Sequence, residues 1–220
     1  MFIFIDLDDT ILDFHKAEAV ALTKTLKKFG IDATEEIISV YSAINDKMWK
    51  KLERKENTRE EILVMRFSEL FEFLGKKVDA EEVNEIYKSF LSQGHYFMPE
   101  AEEFLEKLKG HRLFIVSNGT TAVQQGRVKS AGLEKYFEKM FFSQEVGVDK
   151  PDKLFFEKVF REIDGFNKEN AIIVGDSLTS DISGGKNAGI KTCWYNPKHK
   201  DGEADYVIHS LMEFFDLGIL

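Results

Sequence analysis

The 220-residue chain has few of the residues that mark several protein classes. A single cysteine, Cys193, excludes an intrachain disulfide and favours a reducing compartment. Its place in the apolar run Ile190–Tyr195 predicts a small buried core residue. No two of the five histidines have the spacing of zinc ligands. We therefore expect neither a disulfide framework nor a histidine zinc site.

Long apolar runs and basic blocks are also missing. No stretch approaches the roughly 20 apolar residues that a membrane span needs. Asp6 interrupts the first apolar run after four residues, and no basic segment precedes it as in a signal peptide. The net charge is −9 without a lysine/arginine block, which argues against nucleic-acid and membrane partners. We therefore expect a cytoplasmic enzyme or binding protein.

The first ten residues, MFIFIDLDDT, join an apolar strand to a group of acids. Asp6 and Asp8 point to the same side of an extended backbone, because side chains alternate along a strand. Carboxylates this close repel each other unless a cation lies between them. A hard divalent cation such as magnesium suits that position, since it takes oxygen ligands. A strand followed by a solvated acidic turn is the alternative that these residues leave open.

Helical periodicity occupies residues 16–93, a segment with no convincing strand. Thr34 and Thr58 mark the beginnings of two of its helices, and Glu61 stands three residues after Thr58 as in a capping box. Gly30 stands where the first helix ends. This pattern predicts four helices that form a subdomain inserted after the first strand.

Strands and helices alternate from Met98 onward. Continuously apolar strands separated by helices are typical of a parallel sheet covered on both faces. The predicted fold class is therefore α/β, a Rossmann-like doubly wound parallel sheet core with an inserted all-helical subdomain. The predicted strands are residues 112–116, 139–142, 171–174, 190–195 and 206–208. Helices are predicted to start at Pro99, after Gly119, at Pro151, near Ser180 and after Ile208.

Polar residues follow three of the predicted strands. Asp6 and Asp8 follow the first, Ser117 and Asn118 the second, and Asp176 the fourth. Parallel strands end at the same edge of a sheet, which is where ligands bind in such folds. We therefore expect these side chains to lie together.

A lysine and a further acid join this set from neighbouring loops. Lys150 comes directly before Pro151, at the start of a predicted helix, and Asp181 follows Asp176 closely. Each piece alone has an ordinary interpretation as a turn or a helix cap. Their order along the chain and their shared sheet edge argue against coincidence.

These motifs resemble those of the haloacid dehalogenase superfamily of phosphatases. Four segments carry the resemblance and span the whole predicted core: Asp6–Thr10, Ser117–Gly119, Lys150 and Gly175–Asp181. The resemblance implies a Rossmann-like core domain of residues 1–14 and 95–220, and a helical cap domain of residues 15–94. We also predict that the cap moves over the core to exclude water, with hinges near Phe14 and Gly94.

The chemistry of that superfamily implies a role for each acid. Asp6 would attack phosphorus and form an aspartyl-phosphate. Asp8 would protonate the leaving oxygen and then activate the water that hydrolyses the intermediate. Magnesium would be bound by the Asp6 carboxylate, the Asp8 carbonyl oxygen and Asp176, with Asp181 behind them orienting Lys150. An acid at position 8 favours phosphate esters over halides, because a halide leaves without a proton.

The other motif residues are implied in substrate binding. Ser117, the Asn118 backbone N–H and Lys150 would neutralise the oxygens of the transferring phosphoryl group, with Gly119 in the same loop. Thr10 would fix the first loop. The implied partner is a small phosphorylated metabolite, and the implied cofactor is magnesium.

Three stretches resemble the pyrimidine 5′-nucleotidases of this superfamily. They are Asn45–Trp49 in the predicted cap, and Ser143–Pro151 and Asp181–Gly189 in the predicted core. This resemblance implies hydrolysis of pyrimidine nucleoside monophosphates such as dUMP, UMP and dTMP. Met48 and Trp49 are candidates to stack on a base, and packing at helical spacing is the alternative for both.

Other interpretations stay open. His15 and His95, near the crossings between the predicted domains, are candidates for substrate contact. A phosphoglycolate or sugar-phosphate phosphatase, or a phosphomutase, would share the same motifs. A phospho-accepting regulatory domain also gathers acids, a hydroxyl and a lysine at a sheet edge, but its phosphorylated aspartate lies on a middle strand and it lacks a large helical insertion. An inactive binding protein is disfavoured by the intact motifs.

Overall fold

A six-stranded parallel sheet lies at the centre of the computed structural model, which describes all 220 residues. The strands are β1 (Phe2–Ile5), β2 (Arg112–Ser117), β3 (Lys139–Phe142), β4 (Ala171–Gly175), β5 (Lys191–Tyr195) and β6 (Tyr206–Ile208). Their order across the sheet is β3-β2-β1-β4-β5-β6, and every pair is parallel. The predicted α/β fold with a doubly wound parallel sheet is confirmed.

Strand β1 shows why the strands are continuously apolar. Ile3 and Ile5 belong to the apolar cluster on one face of the sheet, and Phe2 and Phe4 to the cluster on the other. A strand covered on both faces has no polar side to present to water. Cys193 in β5 is fully buried, as predicted, and burial raises the pKa of its thiol to about 12.

Nine α-helices accompany the sheet. They are α1 (Phe14–Lys28), α2 (Glu35–Glu53), α3 (Arg59–Phe73), α4 (Ala80–Leu91), α5 (Ala101–Lys107), α6 (Thr121–Ser130), α7 (Ser143–Val146), α8 (Lys153–Arg161) and α9 (Ser183–Ala188). Short 3-10 helices occupy Leu133–Tyr136, Lys168–Asn170 and Leu211–Leu217. None of the helices combines the length and the apolar character required to cross a membrane.

The chain divides into two compact units. One unit contains the sheet and comprises Met1–Asp13 with His95–Leu220; the other is Phe14–Gly94 and contains α1 to α4 alone. The first of these boundaries lies one residue before the predicted one. The role of the helical unit as a cap stays a prediction.

Local signals in the sequence define the ends of the helices in the helical unit. The Thr34 hydroxyl accepts a hydrogen bond of 3.3 Å from the Ile37 N–H at the start of α2. At α3, the Thr58 hydroxyl accepts from the Glu61 N–H, and the Glu61 carboxylate accepts from the Thr58 N–H at 2.8 Å. This is the reciprocal capping box that the sequence predicts. Gly30 takes a left-handed φ of 68° after α1.

The two prolines predicted to start helices lie just before them. After Pro99, Glu100 adopts a left-handed φ of 64° and α5 begins at Ala101. After Pro151, the Asp152 carboxylate accepts a hydrogen bond of 3.0 Å from the Leu154 N–H, so Asp152 caps α8. The prediction that these helices start at the prolines is therefore wrong by two residues, because the residue after each proline remains outside the helix.

Two predicted α-helices have other geometry. The helix expected near Ser180 begins as a wider π-helical turn, Leu178–Ile182, before α9. Such turns occur often at functional sites, and here the turn contains Asp181. The helix expected after β6 is the 3-10 segment Leu211–Leu217, with i to i+3 hydrogen bonds such as that from the Glu213 N–H to the Ser210 carbonyl.

Candidate active site

The loop after β1 turns sharply at the carboxyl edge of the sheet. The Asp6 N–H donates a hydrogen bond of 2.9 Å to the Val174 carbonyl, so Asp6 continues the strand direction. Asp9 then adopts a left-handed φ of 55°, a conformation that aspartate tolerates better than bulky residues. The N–H groups of Ile11 and Leu12 both donate to the Leu7 carbonyl and close the turn. Asp6 and Asp8 therefore stand at the sheet edge where the sequence predicted them.

Lys150 is a buried cation at this edge. Its ammonium donates to Asp6 Oδ1 at 2.7 Å, to Asp181 Oδ1 at 2.6 Å and to the Val116 carbonyl at 2.6 Å. These three bonds use all three hydrogens of the ammonium. Burial disfavours the charged form, but the carboxylates of Asp181 and Asp6 outweigh it and raise the pKa of Lys150. The lysine is therefore a fixed positive charge.

The backbone of Lys150 is held by the second predicted motif. Asn118 Nδ2 donates to the Lys150 backbone carbonyl, and Asn118 Oδ1 accepts from the Lys150 backbone N–H, each at 2.8 Å. This reciprocal pair ties the loop after β2 to the loop before α8. The resemblance implied only the backbone N–H of Asn118, so the use of its side chain is an addition from the structure.

Three carboxylates gather beside Lys150. Asp6, Asp176 and Asp181 each offer an oxygen, and these oxygens all lie within 4.8 Å of one another. Burial is the main cause that raises the pKa of Asp6, to about 8, with Lys150 opposing it and the carboxylates of Asp181 and Asp8 adding to it. Burial and the carboxylates of Asp181, Asp6 and Asp9 raise the pKa of Asp176 well above its ordinary value. The cluster carries more negative charge than Lys150 alone neutralises.

Asp181 is held more tightly than the other two acids. One of its oxygens binds Lys150, and the other accepts a hydrogen bond of 3.1 Å from the Ser177 N–H. A Cβ atom at position 175 would lie 2.4 Å from Asp181 Oδ2, so only glycine leaves room for this carboxylate. Asp6 and Asp176 are therefore the acids best placed to bind a cation, with Asp181 behind them.

This donor set fits magnesium. Magnesium prefers oxygen ligands and is commonly bound in proteins through one or two carboxylates. Burial and mutual repulsion raise the pKa values of Asp6 and Asp176. A divalent cation between the two carboxylates would offset that repulsion. The chemistry of the residues therefore agrees with the predicted metal site.

Asp8 is bound by two residues that the sequence reasoning missed. Gln124 Nε2 donates to Asp8 Oδ2 at 2.6 Å, and Arg127 Nη1 donates to Asp8 Oδ1. Both donors lie on α6, whose buried face comprises Val123, Gln124, Arg127 and Val128. Polar residues on an otherwise apolar helix stripe were the signal that could have revealed them.

The remaining predicted core residues lie at the ends of β1 and β2 and in the loops that follow these strands. Ser117 is buried at the end of β2, and its hydroxyl accepts hydrogen bonds from the Gly119 N–H at 3.1 Å and from Gln124 Nε2 at 2.8 Å. Thr10 is fully buried, and its hydroxyl has no hydrogen-bond partner. All predicted core residues thus lie at one edge of the sheet.

The candidate base-stacking residues belong to the helical unit. Met48 is fully buried in an apolar cluster with Ile62 and Leu63, and Trp49 packs against the same cluster. The Arg59 guanidinium carbon lies 5.5 Å from the centre of the Trp49 ring. The structure therefore gives Met48 an internal packing position.

The two candidate histidines are both exposed. The His15 ring centre lies 6.3 Å from that of Phe14. His95 Nδ1 lies 2.7 Å from the Ser130 hydroxyl oxygen. Substrate contact by either histidine stays a prediction.

Comparison with known proteins gives the context for this geometry. The family model described as haloacid dehalogenase-like hydrolase matches residues 3–195. The pyrimidine 5′-nucleotidase PynA of Streptococcus pneumoniae is 39% identical over 98% of this chain and 93% of its own length. The pyrimidine 5′-nucleotidase YjjG of Escherichia coli is 30% identical over 90% and 87%. The crystal structure of the HAD-hydrolase YfnB from Bacillus subtilis, bound to magnesium, superposes with a TM-score of 0.94 at 36% identity, covering 98% of this chain and 97% of that one.

Proposed function

Because the chain belongs to the haloacid dehalogenase-like hydrolases and is a phosphoric monoester hydrolase, we propose that it is a magnesium-dependent 5′-nucleotidase. Its substrates would be pyrimidine nucleoside monophosphates such as dUMP, UMP and dTMP, hydrolysed through an aspartyl-phosphate. The observation that carries the proposal is the convergence of Asp6, Asp176 and Asp181 on the buried Lys150 at one sheet edge. The two nucleotidase relatives support the substrate class.

The first chemical step is transfer of the phosphoryl group to Asp6. A carboxylate oxygen of Asp6 attacks phosphorus, and the bond between phosphorus and the ester oxygen breaks. The proton on Asp8 moves to the departing ester oxygen, which leaves as the nucleoside hydroxyl. Lys150, fixed by three hydrogen bonds, contributes positive charge beside the reacting carboxylate.

The second step returns Asp6 to its starting state. Asp8, now a carboxylate, takes a proton from water, and the resulting hydroxide attacks the phosphorus of the aspartyl-phosphate. The bond between phosphorus and the Asp6 oxygen breaks, and inorganic phosphate leaves. The buried Ser117 hydroxyl and the Asn118 backbone N–H would supply donors for phosphoryl oxygens.

Magnesium would be held by Asp6, the Asp8 carbonyl oxygen and Asp176. Bound there, it supplies positive charge that keeps Asp6 ionised and neutralises the phosphoryl oxygens. Asp181 keeps Lys150 in place through its own hydrogen bond of 2.6 Å. Thr10 is proposed to stabilise the first loop.

The direct test is steady-state phosphate release across a panel of esters. We expect UMP, dUMP and dTMP to have kcat/KM values at least about 10-fold above those of purine nucleotides, sugar phosphates and phosphoglycolate. Excess chelator should stop the reaction, and added magnesium should restore it.

Four outcomes would contradict parts of the proposal. Equal turnover of sugar phosphates and nucleotides would end the nucleotidase assignment. Full activity in excess chelator would refute the metal role. Turnover of a sugar bisphosphate with little net phosphate release would indicate a phosphomutase, and a phosphoenzyme that lasts minutes would favour a regulatory domain.

A further inference from the structure

The side chain of Asp8 is bound by two residues that lie outside the four sequence motifs. Each of its carboxylate oxygens accepts one hydrogen bond from α6: Oδ2 from Gln124 and Oδ1 from Arg127. A carboxylate oxygen has two lone pairs, so each oxygen keeps a second position where a proton can be carried. The two donors therefore fix the plane of the carboxylate without occupying all of its proton-binding positions.

The two donors are themselves held in one orientation. Arg127 has no exposed surface, and its Nη1 also donates to Gln124 Oε1 at 3.1 Å. Because the amide oxygen of Gln124 accepts from Arg127, its nitrogen must face Asp8. The same nitrogen donates to the Ser117 hydroxyl at 2.8 Å. Gln124 thus links the acid to the hydroxyl at the end of β2.

Gly119 leaves the space that Gln124 occupies. A Cβ atom at position 119 would lie 2.4 Å from Gln124 Nε2 and 2.5 Å from its Cδ. Only glycine at position 119 therefore leaves room for the Gln124 side chain. The contacts of Gln124 and Arg127 with Asp8 therefore come from buried side chains, and they depend on a close backbone approach at Gly119 and on the hydrogen bond between Arg127 and Gln124. They are more than a surface ion pair.

We propose that Gln124 and Arg127 are positioning residues that orient Asp8 for proton transfer in both chemical steps. The proposal rests on the proposed function, because it takes Asp8 as the acid and base of an aspartyl-phosphate reaction. A proton donor acts only in a narrow range of distance and direction from the departing oxygen. A carboxylate fixed at both oxygens meets that demand better than one free to rotate.

A purely structural role for the pair predicts a different outcome. If Gln124 and Arg127 only stabilise the folded loop, their loss should slow every substrate to a similar extent. If they act through Asp8, the loss should depend on how much the leaving group needs a proton. A nucleoside hydroxyl needs one, whereas p-nitrophenolate is stable enough to leave without one.

The experiment compares Gln124→Met and Arg127→Lys with the unaltered chain on dTMP and on p-nitrophenyl phosphate. For dTMP we expect kcat/KM to fall about 10- to 100-fold, within the range that general acid catalysis contributes. For p-nitrophenyl phosphate we expect kcat/KM to change by less than about threefold, because that step needs no acid. Hydrolysis of the phosphoenzyme still needs the base, so this substrate should show a burst of p-nitrophenolate followed by a slower steady rate.

Two controls complete the design. Gln125→Met alters the exposed neighbouring glutamine on α6 and should leave both substrates unchanged. Combining Gln124→Met with Asp8→Asn should cost no more than Asp8→Asn alone, because residues that act through one group are not additive. Thermal unfolding shows whether each variant folds, and Arg127→Lys keeps a cation in the buried site as the second, conservative variant.

Equal losses on the two esters, absence of the burst, or additivity with Asp8→Asn would overturn the positioning role. Failure of the proposed function would look different. In that case the unaltered chain itself would release no phosphate from dTMP, or Asp6→Asn would retain the activity.

Discussion

Lys150 in the sheet unit and Arg66 in the helical unit are both buried cations among oxygen atoms, and they differ in the charge around them. In the sheet unit, Lys150 stands beside three carboxylates. In the helical unit, Arg66 donates to neutral oxygens: Asn45 Oδ1 at 3.0 Å, Asn84 Oδ1 at 2.9 Å and the Leu63 carbonyl at 3.2 Å. A single buried acid, Glu18, interacts with Arg66 electrostatically.

The difference separates a cluster with excess negative charge from a cluster whose charges balance. Formally, three acids and one lysine leave an excess of two negative charges, which one divalent cation would neutralise. Glu18 and Arg66 together leave no net charge. Burial is the main cause that raises the pKa of Glu18, to about 7, so this acid can also relieve its own charge by binding a proton. We therefore expect substitutions in the sheet unit to affect turnover and metal response, and those in the helical unit to affect stability alone.

Asp6→Asn should have the largest effect. We expect phosphate release to fall by about 10³-fold or more, because the amide cannot form the phosphoenzyme. Circular dichroism should show an intact fold. Substantial residual turnover by the purified variant would contradict the covalent mechanism and would remove the main functional contrast between the two units.

Lys150→Met should be the most destabilising substitution in the comparison. It leaves buried carboxylates without their cation, and we expect a loss of about 3–5 kcal/mol in the free energy of unfolding, measured with urea. Added magnesium should recover part of the loss, because a divalent cation would take over the neutralisation of the acids.

Arg66→Met is the matched control in the helical unit. It leaves amide oxygens unpaired, for which we expect a smaller loss of about 1–3 kcal/mol. Glu18 can bind a proton when its cationic neighbour is removed, so magnesium should not stabilise this variant more than the unaltered chain. Equal recovery of both variants by magnesium would break the distinction between the clusters.

Glu18→Gln tests the helical cluster through pH. The folded chain holds a proton on Glu18 that the unfolded chain releases, so the stability due to the neutral carboxyl is complete below about pH 4.5 and is lost as the pH rises through about 7. At about pH 8 we expect the variant to be more stable by roughly 3 kcal/mol relative to its difference at pH 4, since each pKa unit corresponds to 1.36 kcal/mol.

The readout for Glu18→Gln is the difference in unfolding free energy between the variant and the unaltered chain across this pH range. Subtracting the two curves removes the contribution of Asp6, whose pKa is also raised. Turnover of dTMP should stay within about threefold of the unaltered chain. A flat difference curve, or a large loss of turnover, would show that Glu18 is not part of a self-contained structural cluster.

The sheet unit was predictable where the chemistry follows from strand topology. Apolar runs predict the strands, and the ends of parallel strands meet at one edge, so the sequence alone predicts that Asp6, Ser117 and Asp176 lie together. The motifs also led to the superfamily, and the family match over residues 3–195 confirms that resemblance. The roles of the individual site residues stay predictions that the experiments above address.

The buried polar partners could not be predicted in the same way. Arg127 meets Asp8 across 119 positions of sequence, and Arg66 meets Asn45 across 21. Charged residues on a helix usually face water, so a pattern of spacing alone assigns them to the surface. Only the packing of one helix against another element identifies which of them become enclosed. The burial of Gln124 could not be predicted from the sequence for the same reason.

The two threonine helix caps of the helical unit should have the smallest effects, and Thr58→Ala measures what a local, sequence-predictable signal contributes to that unit. The alanine removes the hydroxyl that accepts from the Glu61 N–H and weakens the reciprocal capping box, and we expect a loss of about 1 kcal/mol. Thr34→Ala is the matched control, because Thr34 caps α2 through one hydrogen bond to Ile37 without a reciprocal partner. We expect it to cost less, by urea unfolding under the same conditions. If either cap cost more than Arg66→Met, the stability of the helical unit would depend on its helix ends more than on its buried cluster, and the contrast between a locally encoded framework and an enclosed polar network would fail.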